Sequence, residues 1–64
     1  MKPGDLRIVV VNTWTSYIKK GEVILITSVE WDGVQRIVNF ICNGVSRRDT
    51  EHYIRNRTEP LEEF

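Results

Sequence analysis

Cys42 and His52 are the only thiol and the only imidazole in this 64-residue sequence, and they limit the chemistry open to it. A cysteine nucleophile needs a neighbouring base or cation to hold it as thiolate, and His52 is the sole histidine available. Cys42 stands before an Asn43-Gly44 turn and His52 near the start of a helical stretch, so the two could meet. The expected role of Cys42 is nonetheless that of a small buried hydrophobe. One Cys and one His fall short of a zinc site, which usually takes four ligands. A single Cys also excludes an intramolecular disulfide. The carboxylates are scattered, with no pair whose spacing suggests acid/base work, and no glycine-rich loop is present to cradle a phosphate. The expectation is a chain that is not an enzyme and uses no cofactor and no metal.

Binding chemistry has more candidates. Trp14, Tyr17, Trp31 and Tyr53 fall in or beside expected loops. Tyr and Trp are the commonest hot-spot residues, so these four could line a groove for a peptide or another protein. Equally, each could close one end of a thin core, because a small domain needs its aromatics for burial. Arg47, Arg48, Arg55 and Arg57, with His52, make the one local basic cluster, which would suit a phosphate or an acidic protein. Asp49, Glu51 and Glu59 lie among them and weaken that field, and no aromatic ladder interleaves them. Lys plus Arg equals Asp plus Glu at nine each, which argues against a chain that coats nucleic acid non-specifically.

The elements that must position these residues read as short strands. Glu22 to Val45 is central. Val23 to Val29 and Val34 to Cys42 are rich in β-branched residues and are bounded by Asp32-Gly33 and Asn43-Gly44, the dipeptides that tight hairpins favour. The register of this hairpin has two solutions. A two-residue loop pairs Trp31 with Val34 and gathers Val23, Leu25, Val29, Trp31, Val38, Phe40 and Cys42 on one face. A three-residue loop pairs Glu30 with Val34 and sets Ile24 and Ile26 beside Val38 and Phe40. Slippage by one residue exchanges the faces. In the second case Val23, Leu25, Ile37 and Ile41 form an apolar outer face. Such a face either marks an interface or is shielded by the Asn12 to Gly21 loop and the tail.

Around the hairpin, Lys2-Pro3-Gly4-Asp5 reads as a turn and Leu6 to Val11 as the first strand, with Leu6, Ile8 and Val10 on one face. Asn12 to Gly21 is a polar loop carrying Trp14 and Tyr17. Val45-Ser46-Arg47 is a short strand. Asp49 to Arg55 forms one or two helical turns, with Asp49 as N-cap and Glu51 four residues before Arg55. Thr58 to Glu62 can be only a short or edge strand, because Pro60 has no donor for a ladder. Glu63-Phe64 is a frayed tail. The whole is one domain, residues 1–64. No run is long and apolar enough to span a bilayer, and no signal peptide is evident. With a free thiol, the expected setting is the cytoplasm.

In its order of elements the chain resembles a Src-homology-3-like barrel. Lys19-Lys20-Gly21-Glu22 before alternating apolar residues is similar to the entry of that family's second strand. Asn43-Gly44 resembles its later hairpin turn, and His52-Tyr53-Ile54 its tyrosine-bearing helical turn. Lys2-Pro3-Gly4-Asp5-Leu6 and Leu61-Glu62 are similar to the ends of small, uncharacterised bacteriophage proteins. The resemblance implies an all-β, five-stranded barrel with one short helical turn before the last strand, and a host-cytoplasmic setting if phage-encoded. Members that bind proline-rich peptides carry an aromatic-acidic motif that Ile8 to Trp14 lacks, and a tryptophan pair where Val34-Gln35-Arg36 stands. Only Tyr53 carries over from that groove.

Two functions follow as expectations. The first is a protein-binding or structural module, with another protein or a second copy as partner, using Trp14, Tyr17, Trp31, Tyr53, Val23 and Leu25. The second is a nucleic-acid-binding barrel using Arg47, Arg48, Arg55 and Arg57.

Overall fold

The computed structural model describes residues 1–12, 14–15 and 17–61. One antiparallel sheet of five strands carries them, in the order β4-β3-β2-β1-β5. The strands are β1 (Leu6–Val9), β2 (Val23–Trp31), β3 (Arg36–Cys42), β4 (Val45–Thr50) and β5 (Thr58–Pro60), and one helix, α1 (Glu51–Arg57), links β4 to β5. The two edge strands are thus joined through the helix rather than by a ladder. Pro60 sits on the edge, where its missing N–H costs no ladder bond.

The central hairpin adopts neither expected register. Trp31 pairs with Arg36, and Asp32 N donates to Gln35 O at 3.1 Å, so the loop is Asp32-Gly33-Val34-Gln35. Asp32 explains the choice. Its Oδ1 accepts from the backbone N–H of Val34 at 2.8 Å and of Gln35 at 2.7 Å, the local bonding by which Asp organises turns. Gly33 supplies the positive φ of +99° that the loop requires.

A second irregularity sets the faces. Ile26 pairs with Phe40, but Ser28 pairs with Asn39, so the register shifts by one at Thr27. This bulge reverses the alternation along β2. Ile24 and Ile26 point inward before it, and Val29 after it, opposite Val38. The inner face therefore matches the second expected face, reached through a longer loop and a bulge.

Leu6 and Ile8 share a face of the first strand, as expected, and it is the outer one. Arg7 and Val9 are buried, whereas Leu6, Ile8 and Val10 are only half-buried. The ladder is the reason: Arg7 stands opposite Ile24 on the inner face, and Leu6 and Ile8 stand opposite Leu25 and Val23 on the outer one. The strand also ends at Val9, two residues short of expectation.

The core consists of Val9, Ile18, Ile24, Ile26, Val38, Phe40, Cys42 and Ile54, with Met1, Val11, Trp14 and Val29 packed at its margin. Ile54 brings α1 onto the inner face. Ile18 anchors the polar loop, held by a bridge to Thr15 whose Oγ1 accepts from Ile18 N at 3.2 Å. The helix is capped by Thr50 rather than Asp49. Thr50 Oγ1 accepts from Tyr53 N at 3.2 Å, while Asp49 is the fifth residue of a β4 longer than expected. The expected tail, Glu63-Phe64, lies outside the described residues.

Candidate interaction surfaces

The outer face of the sheet divides into an apolar half and a polar half. Leu6 pairs with Leu25, and Leu25 with Ile41, so these three side chains make one continuous row across β1, β2 and β3. Leu61 N donates to Leu6 O at 3.0 Å and extends the row to the β5 edge. Ile8 and Val23 form the next row. Val23, Leu25 and Ile41 are exposed, and Leu6 and Ile8 half-exposed. Val23, Leu25 and Ile41 of the expected outer group are thus found together and are joined by Leu6 and Ile8, whereas Ile37, opposite Glu30 beyond the bulge, lies across the Asn39 network in the polar half.

Beyond the bulge the same face turns polar. Asn39 Nδ2 donates to Ser28 Oγ at 2.9 Å and to Glu30 Oε2 at 3.1 Å, and Arg48 Nη2 lies 3.5 Å from Glu30 Oε2. This network borders the apolar rows on one side.

The four aromatics do not gather into one groove. Trp14 packs on Phe40 with centroids 5.5 Å apart and on Tyr53 at 6.2 Å, at the margin of the core. The Arg57 guanidinium lies over the Tyr53 ring, 3.2 Å from its centroid. Tyr17 is exposed and carries Arg47 over its ring at 5.1 Å. Trp31 stands at the far end of the β2–β3 ladder with 67% of its surface exposed. So Trp14 and Tyr53 meet, Tyr17 takes an arginine, and Trp31 stands at the hairpin end.

The four arginines are dispersed as well. Arg47 and Arg48 are adjacent on a strand and face opposite sides of the sheet: Arg47 goes to Tyr17 and Arg48 to Glu30. Arg55 Nη2 lies 3.4 Å from Glu51 Oε1, the expected i,i+4 pair. Arg57 covers Tyr53 and donates from Nη1 to the Tyr53 carbonyl at 3.3 Å. His52 meets Asn56, its ring nitrogen 3.1 Å from Asn56 Nδ2.

Cys42 is a buried core residue, as its type suggests. Its Sγ donates to Glu22 Oε2 at 3.2 Å, and Asn43 Nδ2 donates to the same oxygen at 2.9 Å. Burial, followed by the Glu22 carboxylate, pushes the thiol up to about 11. The thiol therefore stays protonated near neutrality and lacks the thiolate that nucleophilic chemistry needs. Among the described residues, no group of three or more His, Cys, Asp or Glu is placed to hold a metal ion. Nor, among the described residues, is any helix long and apolar enough to cross a membrane.

Two charged arrangements go largely beyond the sequence reading. Arg7 is 9% exposed and lies against the end of α1. It donates from Nε to Thr58 Oγ1 at 2.7 Å and from Nη2 to Thr58 O at 3.1 Å, and Thr58 Oγ1 donates to Ile54 O at 2.8 Å. Burial, then the nearby positive charge of Arg55, lowers the affinity of Arg7 for its proton. The second arrangement centres on Glu51. Arg36 Nε lies 3.3 Å from its Oε2, Arg55 Nη2 3.4 Å from its Oε1, and the Met1 ammonium 3.7 Å from its Oε2. Only the Glu51–Arg55 spacing carried a local signal. Arg36 needs the four-residue loop to be known before it can be placed.

Comparison with protein families, with characterised proteins and with solved structures finds no match to this chain.

Proposed function

We propose that this chain is a non-enzymatic protein-binding module whose docking surface is the apolar half of the outer sheet face. The observation that carries this reading is the row Leu6–Leu25–Ile41, flanked by Ile8 and Val23, on the face that points away from the core. Contiguous exposed apolar surface on a small domain is a common signature of an interface. The bordering Ser28–Asn39–Glu30–Arg48 network supplies the polar rim such interfaces have. The partner is an apolar surface of another protein chain, with a second copy as one form of it.

The architecture we propose is a Src-homology-3-like barrel, similar to small bacteriophage proteins and working in the cytoplasm. Support comes from the strand order β4-β3-β2-β1-β5, the bulge that bends β2 at Thr27, and the helix ahead of the last strand. Nucleic-acid binding through Arg47, Arg48, Arg55 and Arg57 is the weaker alternative, since their partners Tyr17, Glu30, Glu51 and Tyr53 spread them over several surfaces.

Light scattering coupled to gel filtration, run across a dilution series with the native protein and with Leu25→Lys and Ile41→Lys variants, tests the self-association form. Photo-cross-linking from position 25 in producing cells tests docking on another protein. The reading predicts a dimer or a discrete adduct that either variant abolishes. A monomer at every concentration with no adduct from position 25 contradicts it.

A further inference from the structure

We infer that the end of the β2–β3 hairpin and the adjoining face of α1 form a second binding surface, built from Trp31, Arg36 and Arg55, for an acidic peptide segment carrying one apolar side chain. The first observation is the placement of Trp31. It pairs with Arg36 in the last rung of the ladder, so the two side chains share one face. Glu30, Val29, Trp31 and Arg36 line an open cleft of about 410 Å³ there. A tryptophan exposed to 67% beside such a cleft is costly to leave in water and is the side chain most often found as a binding anchor.

Charge is the second observation, and it names the partner. Arg36 and Arg55 both lean on the single carboxylate of Glu51, with side chains 50% and 60% exposed. Two guanidiniums each offer five donors, and one carboxylate cannot occupy them. The Met1 ammonium draws on the same carboxylate. The acidic residue of the cleft, Glu30, is already matched by Arg48 at 3.5 Å. Arg36, Arg55 and the Met1 ammonium therefore outnumber the one carboxylate they share, while Asp32, next to Trp31, is turned onto the N–H groups of its own loop. Carboxylates from a partner would complete the arginine forks, and an apolar side chain between them would enter the cleft against Trp31. A phosphate backbone fits less well, because the neutral chain has no extended field to gather it.

The probe is a fluorescein-labelled peptide with one phenylalanine flanked on each side by three glutamates, titrated by fluorescence anisotropy at about 50 mM and about 300 mM salt, which spans most of the range of screening. Saturable binding that weakens several-fold at the higher salt is expected. Trp31→Ala and the double variant Arg36→Gln/Arg55→Gln should each weaken it by about tenfold or more. These side chains are well exposed, so circular dichroism should show both variants folded. Glu51→Gln should tighten binding, because it frees both arginines; a merely structural role for Glu51 would not do this. Leu25→Lys on the outer face should leave it unchanged, which separates this surface from the proposed docking face. Absence of binding at the lower salt overturns the inference. So does binding indifferent to Trp31, Arg36 and Arg55, or tighter binding of a single-stranded oligothymidylate by the same residues.

Discussion

Arg7 Nε donates to Thr58 Oγ1 across 2.7 Å, and that hydroxyl passes a donor on to the Ile54 carbonyl at 2.8 Å. This relay fastens the end of α1 to the first strand, fifty-one positions apart in sequence. It also accounts for a cation on the inner face: Arg7 satisfies the Thr58 side chain and carbonyl where the helix stops and β5 starts. Replacing Thr58 with Val keeps the shape and leaves the Ile54 carbonyl and the Arg7 Nε without this partner. Loss of a buried, charge-assisted bond of this kind costs roughly 1–3 kcal/mol. Urea denaturation of Thr58→Val should show that loss, with an unchanged slope; a shift near zero would mean water replaces the hydroxyl.

Ile18 is the anchor of an otherwise polar loop, fully buried among strand residues. Ile18→Ala should destabilise by about 2–4 kcal/mol, the usual range for removing a buried aliphatic side chain. Thermal melting followed by circular dichroism would read it. A cost below about 0.5 kcal/mol, the level of a surface change, would place Ile18 outside the core.

Stability should fall at both ends of the pH range for identifiable reasons. The Asp32 carboxylate, accepting from Gln35 N and Val34 N, is held below its ordinary value, and Glu22 is lowered by the Cys42 thiol and then by Asn43. A lowered carboxylate contributes stability above its unfolded value, and this is lost as pH falls through the folded one. Acid should therefore loosen the hairpin turn, and Asp32→Asn should flatten the acid limb. Cys42 has the opposite sign. Its folded value of about 11 exceeds the unfolded value of 9.0, so its contribution is complete below about pH 9 and lost toward pH 11. Cys42→Ser should reduce that alkaline loss. The same burial predicts slow labelling of the native thiol by a maleimide at neutral pH and rapid labelling in urea.

How far the sequence reveals this fold depends on how local each signal is. The strands, the two glycine turns, the helix and the edge position of Pro60 are readable, because turn residues and β-branched runs act over a few positions. The phase of β1 is not, since Leu6, Ile8 and Val10 alternate as well as any inward face. Only the ladder to Ile24 and the relay through Thr58 turn Arg7 inward. The hairpin register escapes for a related reason. The paired bonds from Val34 and Gln35 to Asp32 favour a four-residue loop, and the Thr27 bulge has no residue signature. The candidate site follows the same rule. Val23 and Leu25 are legible as sharing a face, but the register decides that it is the outer one, and Leu6 and Ile8 join them only through the phase of β1. Glu51 becomes a charge hub only once Arg36 is placed.

Leu25→Lys should leave the fold nearly as stable as before, within about 1 kcal/mol, because the side chain already meets solvent. A loss of several kcal/mol would mean that this face is covered and belongs to the core.

The most direct test is photo-cross-linking from a benzophenone side chain at position 25, in cells that produce the protein, against the same group at Lys20 in the exposed turn before β2. The account predicts one or a few discrete adducts from position 25, absent from position 20 and abolished by Ile41→Lys. Identical patterns from both positions, or no adduct from position 25, would contradict a docking role for the outer face.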